Sequence, residues 1–139
     1  MGSDKKIIVL FPGGDNRVDR PMLYYADLKY EAKGYECLKI NYGDGERKSL
    51  SDIENIKNIA LSQMGKIDFS KYDDILFVSK SLGTIIAGQA AQTLVAKVRH
   101  IYLTPLQGTL EYIKGQDIQI VLAGTADKYL ESVHIKPLQ

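Results

Sequence analysis

The sequence has a single cysteine, Cys37, so no internal disulfide can form, and its two histidines, His100 and His134, provide no zinc-ligand spacing. Disulfide and metal scaffolds are therefore excluded, and neither metal nor cofactor is expected. A surplus of charge is missing too. The 18 Lys+Arg against 17 Asp+Glu leave a net charge of +1, so there is no bulk field to hold nucleic acid or an anionic membrane. Long apolar runs are also lacking. The longest near the start, Ile7 to Phe11, is too short for a signal-peptide core and far too short to span a bilayer. A cytoplasmic protein with no membrane partner is the default expectation. What is present is 139 residues, 45% apolar and 25% charged, the balance of a globular chain with one core. A single domain over residues 1–139 is expected.

Strand-like and helix-like segments alternate along the chain. Ile7 to Phe11 is a continuous apolar run bounded by Pro12-Gly13-Gly14, which predicts a strand buried on both faces. A helix is expected from about Asp19, with Pro21 in its first turn, Gly34 stopping it, and Met22, Leu23, Tyr25, Ala26 and Tyr30 on one face. Tyr35 to Tyr42 reads as the second strand. Ser51 and Glu54 form a capping box for a helix whose buried stripe is Ile53, Ile56, Ile59, Ala60 and Met64, stopped by Gly65. Asp74 to Ser79 predicts the third strand, and Leu82 to Lys97 a helix apolar nearly all round, as expected of one packed centrally on a sheet. Val98 to Thr104 and Asp117 to Ala123 complete five β-runs, with a short helix at Leu110 to Ile113 and a last one near Lys128. Helix-sized connections between strands imply parallel pairing, hence an α/β, doubly wound, mostly parallel five-stranded sheet with helices on both faces. Ligands bind such sheets beyond the carboxyl ends of the strands, near a topological switch point.

The strongest local signal is Ser79-Lys80-Ser81-Leu82-Gly83 at a strand-to-helix junction. A nucleophile placed on a strained turn needs small residues two before and two after it, so that strand and helix can approach. The segment resembles the G-x-S-x-G nucleophile elbow of the α/β-hydrolase superfamily, with Ser79 where the first glycine usually stands. The alternative is that Ser79 or Ser81 merely caps a helix. By the resemblance, Ser81 is the nucleophile and the Leu82 N–H, at a helix start, faces developing negative charge on a substrate oxygen. Phe11-Pro12-Gly13-Gly14 follows the first strand, where the superfamily carries its oxyanion loop, and Gly14 stands where the second N–H donor is expected. Gly124-Thr125-Ala126-Asp127, directly after the fifth strand, looks like the superfamily's acid loop, with Asp127 orienting an imidazole. Taken alone, Asp127 reads equally well as an N-cap. No G-x-G-x-x-G or G-x-x-x-x-G-K-[ST] occurs in the chain.

The histidine departs from the pattern. His100 falls near the end of the fourth strand opposite the elbow and reads as a polar core or rim residue. His134 lies seven residues after Asp127, inside the expected last helix, whereas the family pattern puts its histidine beyond a further strand. Either the chain is a truncated hydrolase lacking its C-terminal strand and helix, or His134 is recruited locally; truncation is the favoured expectation, with association through exposed sheet surface as its consequence. Among other residues, Lys80 is expected to be solvated, Asp74 to lie at the wrong end of the sheet, Cys37 to be a buried small hydrophobe in a strand, and Tyr42 and Tyr129, near strand ends, to line a rim in preference to touching substrate.

The resemblance spans essentially the whole chain and implies a small, lidless serine hydrolase acting on a small carboxylic ester, thioester or amide through an acyl-enzyme. Ser81 and Asp127 are its catalytic residues, Gly14 and Leu82 the oxyanion donors, Ser79 and Gly83 the elbow. Thr104 and Pro105 begin the pocket wall. No cofactor is implied, and the expected partner is a small-molecule substrate. Two rivals stand beside this reading. One is a non-catalytic binding protein on the same scaffold; the other is a flavodoxin-like phosphate or nucleotide binder using Pro12-Gly13-Gly14 or Ser79-Lys80-Ser81 as an anion cradle.

Overall fold

The computed structural model describes residues 5–13, 21–42, 53–103 and 117–122. In chain order these form β1 (Lys6–Phe11), α1 (Pro21–Ala32), β2 (Glu36–Lys39), α2 (Ile53–Met64), β3 (Asp74–Lys80), α3 (Leu82–Gln92), β4 (Arg99–Leu103) and β5 (Asp117–Leu122). A single 3-10 turn at Phe69–Lys71 precedes β3. Neighbouring strands are all parallel, in the order β2-β1-β3-β4-β5. The architecture is α/β, as the alternation of segments predicts.

Period-two geometry divides the core between the two faces of the sheet. Ile7, Val9 and Phe11 of β1 and Ile75 and Phe77 of β3 point to one side, where they meet Ile56, Ala60 and Met64 of α2 and Ile86, Ala87 and Ala90 of α3. Ile8 and Leu10, with Leu76 and Val78, point to the other and meet Leu23 and Tyr30 of α1. This is why β1 and β3 read as unbroken apolar runs. Each fully buried Ile or Phe contributes about 1.5–3 kcal/mol, so the central pair anchors the sheet.

Helix ends follow local chemistry. Gly34, at φ +90°, lets α1 close in a Schellman motif: Tyr35 N–H donates to the Tyr30 carbonyl and Gly34 N–H to that of Glu31, both at 3.0 Å. The Tyr30 and Tyr35 rings then meet edge-on, 5.1 Å between centroids. In α2 the expected stripe is buried at Ile56, Ala60 and Met64 and half-buried at Ile53 and Ile59. α3 stops at Gln92, five residues short of the expected Lys97, because the Thr93 hydroxyl bonds the Ala90 carbonyl at 2.7 Å and the chain tightens into i→i−3 bonds there. Val95, one of the apolar residues of the expected longer helix, is fully exposed. β2 is shorter than Tyr35–Tyr42, although Ile40 N–H still donates to the Leu10 carbonyl at 3.0 Å. The Ser51 cap and the helices expected at Leu110–Ile113 and near Lys128 lie outside the described residues.

From β1 the chain crosses to β2 on one side and later reaches β3 on the other, so the winding reverses between β1 and β3. The loops leaving the carboxyl ends of those two strands flank the place where such sheets bind ligands. Among the described residues no helix is long and apolar enough to cross a membrane.

Candidate active site

Ser81 occupies the single position between β3 and α3. Its backbone has φ 53° and ψ −121°, and among the described residues it alone combines a side chain with positive φ. An L-residue there crowds its own backbone at a cost of about 1–3 kcal/mol, tolerated only where the surroundings impose it. They do so here. Ser81 N–H donates to the Leu103 carbonyl of β4 at 2.9 Å, and the Ser81 carbonyl accepts from the Thr84 N–H at 3.0 Å and the Thr84 hydroxyl at 2.6 Å. A capping serine has β-region dihedrals and bonds its side-chain oxygen to an amide of the first turn. Ser81 does neither, for its side chain makes no capping hydrogen bond.

Gly83 shows how closely α3 is pressed to the sheet. A Cβ at this position would lie 2.4 Å from the Pro12 carbonyl oxygen and 2.5 Å from that of Phe11, distances that real side chains do not occupy. The close approach is thus between the first turn of α3 and the end of β1. Ser79, paired with Phe11 on one side and Tyr102 on the other, has no exposed surface, and its buried hydroxyl has no hydrogen-bond partner among the described residues. Leu82 is the first residue of α3, where amides have no acceptor within the helix.

The loop after β1 is held from below. Tyr42, fully buried beyond the end of β2, donates its hydroxyl proton to the Pro12 carbonyl at 2.8 Å. The sequence reading placed Tyr42 on a rim; the structure encloses it and gives it a backbone partner instead. The signal for this was slight, a tyrosine closing one strand at the same sheet end as a Pro-Gly loop. Gly83, two residues after Ser81, therefore meets Pro12 where β1 and β3 end. Gly14, Thr104, Pro105, Asp127 and His134 lie outside the described residues.

His100 sits in the amino-terminal half of β4, opposite Phe77. It is fully buried, stacked on Tyr102 at 4.8 Å and edge-on to Phe77 at 5.6 Å. Ser81 follows Lys80, which pairs three residues further along β4, so at about 3.3 Å per residue the imidazole is some ~10 Å or more from the serine. It belongs to the core.

Other polar groups collect away from this end. Arg99 forks onto Asp74 at 2.9 and 2.7 Å and bonds the Tyr35 hydroxyl at 2.9 Å, while that hydroxyl donates to Asp74, tying the amino ends of β3 and β4 to the turn after α1. Burial, with the Asp74 hydrogen bond and charge, pushes the Tyr35 hydroxyl up to about 12. A cleft of about 510 Å³ also lies at the amino end, between the end of α2, the Phe69–Lys71 turn and Leu94 to Ala96. Asp27, Glu31 and Cys37 bring potential ligand atoms within 4.8 Å of one another on the α1 side of the sheet, but Lys39 Nζ, 3.2 Å from Asp27, already supplies positive charge there. Burial raises the Asp27 carboxyl, yet hydrogen bonds from Cys37 and Lys39 outweigh it and hold it below the usual carboxylate value. The Cys37 thiol is pushed up to about 12, by burial first and then by Asp27.

No protein-family profile and no curated protein matches the sequence. Solved structures do match the fold. An alpha-beta serine hydrolase homologue from Coxiella burnetii superposes with TM-score 0.63 over 99% of this chain and 74% of its own, at 12% identity. A candidate hydrolase of the alpha/beta superfamily from Xanthomonas campestris pv. campestris gives 0.52 over 73% and 59%, at 15% identity. A lipase-esterase related protein from Clostridium acetobutylicum gives 0.51 over 75% and 44%, at 14% identity. The matched region thus spans 59% and 44% of the last two proteins. At such identities the likeness is one of fold, and the fold of this chain is that of the α/β hydrolases.

Proposed function

We propose that this chain is a serine hydrolase that cleaves a small carboxylic ester, thioester or amide through an acyl-enzyme on Ser81. The observation that supports it most is the backbone of Ser81. A residue in a strained conformation, at the carboxyl end of β3 beside the switch point, forgoes the capping bond that a structural serine would make. In this reading Ser81 Oγ attacks the substrate carbonyl carbon as its proton passes to a histidine. The tetrahedral oxyanion is held by the N–H groups of Leu82 and Gly14, each donor being worth roughly 3 kcal/mol of barrier. Collapse expels the alcohol, thiol or amine, which takes the proton from the imidazolium, and water then releases the acid by the same steps in reverse roles. Asp127 orients the histidine, and Thr104 and Pro105 begin the pocket wall. With His100 enclosed in the core, His134 is the histidine of this sequence left for the base.

A fluorophosphonate probe tests the reading. Phosphonylation at Ser81, abolished in Ser81→Ala, is the expected result; an unlabelled Ser81 overturns it. His134→Gln labelled as fast as the unaltered chain removes His134 from the base role. The flavodoxin-like alternative shares the strand order found here. It predicts instead that inorganic phosphate or a nucleotide raises the thermal midpoint while Ser81 stays unlabelled.

A further inference from the structure

We infer that Tyr42 is a positioning residue for the oxyanion loop, resting on the acyl-enzyme reading of Ser81. Its hydroxyl donates to the Pro12 carbonyl at 2.8 Å from a fully buried site 30 residues further along the chain. The same carbonyl faces the first turn of α3, where Gly83 offers only a hydrogen and a Cβ would stand 2.4 Å from the oxygen. Two independent neighbours thus hold the Pro12 oxygen inward, one by attraction and one by close packing.

The consequence lies on the other side of the peptide. In a trans amide the carbonyl and the following N–H point in opposite directions, and no described peptide bond is cis. With the Pro12 oxygen turned into the core, the Gly13 N–H turns away from it. Pro-Gly is also the dipeptide whose central amide flips most readily, since type I and type II turns differ by that flip and glycine accepts both. A flipped amide would put a carbonyl oxygen where the Gly13 N–H now stands, so that a negative dipole would adjoin the donor that the proposed reading assigns to the next residue. The Tyr42 hydrogen bond selects one orientation before substrate arrives, so the donors need no reorganisation during the reaction.

Tyr42→Phe removes the hydroxyl and keeps the ring. In the labelled, active chain this variant lowers kcat and the rate of Ser81 phosphonylation about tenfold, short of the ~10²-fold or more that loss of a donor costs. KM stays within about twofold, because substrate binding does not use the oxyanion. Affinity for a boronic acid, which forms a tetrahedral adduct, falls in step with kcat, whereas affinity for the carboxylate product does not. A purely structural tyrosine lowers the thermal midpoint and leaves kcat per folded molecule and boronate affinity unchanged, which overturns the inference while sparing the nucleophile. Should Tyr42→Phe fail to fold, the unaltered chain decides: boronate binding shifts the amide resonances of Gly13 or Gly14, and unshifted amides overturn the inference. An unlabelled Ser81 in the unaltered chain removes the acyl-enzyme reading and this inference with it.

Discussion

Gly83→Ala puts the contact between α3 and β1 to a direct test. The added methyl would sit 2.4 Å from the Pro12 oxygen, 2.5 Å from the Phe11 oxygen and 3.0 Å from the Phe11 carbonyl carbon. Relief to ordinary contact needs about 1 Å of separation. Neither side yields cheaply: Phe11 is paired with Ser79 in the sheet, Pro12 is held by Tyr42, and Ser81 is bonded to Leu103. Over-packing of this kind costs about 1–3 kcal/mol or more, against which alanine's helix preference returns up to ~1 kcal/mol. We expect a net loss of about 2 kcal/mol and a midpoint lowered by roughly 6–8 °C for a chain of this length. Chemistry suffers more than stability. An α3 shifted by about 1 Å carries Ser81 away from the β1 loop, and misplacement on that scale costs about 10²-fold in rate. Gly65→Ala is the control, since its Cβ would meet the Leu61 and Ser62 carbonyls at 3.4 and 3.5 Å, ordinary contact. Thermal denaturation and fluorophosphonate labelling read both variants. A Gly83→Ala chain that melts within about 2 °C of the original and labels at the same rate refutes the argument.

Three further outcomes are expected. Ser79→Ala removes a buried hydroxyl that has no partner among the described residues and raises stability by about 1 kcal/mol; a lower thermal midpoint would show that the hydroxyl is satisfied. Cys37, its thiol pushed from 9.0 up to about 12, carries about 10³-fold less thiolate at pH 8 in the folded chain than in urea, and reacts with a disulfide reagent at least tenfold more slowly. Because the folded thiol keeps its proton longer than the unfolded one, its contribution to stability is complete below pH 9 and is lost as the pH rises towards 12. Equal reaction rates in the two states would refute the shift. Arg99→Met strips Asp74 of its forked partner and lowers stability by about 1–2 kcal/mol, reduced from the fully buried case by partial exposure. Urea unfolding measures the loss, and the Ser81 labelling rate stays unchanged because the pair lies at the opposite end of the sheet.

How much was legible depended on whether the cause was local. Burial on both faces writes itself into consecutive residues, so Ile7 to Phe11 and Ile75 to Val78 announced the two central strands. Gly34 marked the end of α1 because only glycine takes φ +90° there without strain. The end of α3 misled because Leu94, Val95 and Ala96 continue the apolar pattern, while the stop comes from one hydroxyl folding back on Ala90. The 3-10 turn was too short for periodicity, although Asp68 receiving the Ser70 N–H at 3.1 Å is a cap of the usual type. Non-local chemistry left no trace. Arg99 meets partners 25 and 64 residues away, and nothing in the segment Ala96 to His100 marks it as the residue that joins two strands to a helix end. Likewise a small residue was expected at 83, but that its neighbour is the backbone leaving β1 required the sheet order. Of the remaining expected site residues, Gly14, Thr104, Pro105 and Asp127 lie outside the described residues.

Stability alone does not account for the residue at 81. A serine that caps a helix contributes about 1 kcal/mol through its side-chain bond. Ser81 makes no such bond and adds strain of the same order or more. Glycine would take φ 53° without a Cβ penalty, so the fold by itself favours glycine at this position. The surroundings instead go to some length to hold a side chain there: a β4 carbonyl receives its N–H, Thr84 grips its carbonyl twice, and α3 sits so close to β1 that position 83 tolerates only a hydrogen. Three constraints from three elements converge on one strained residue at the switch point of the sheet. A hydroxyl kept at that position against the local energy gradient fits a role in chemistry better than a role in folding, and Ser81 is the residue on which the functional reading rests.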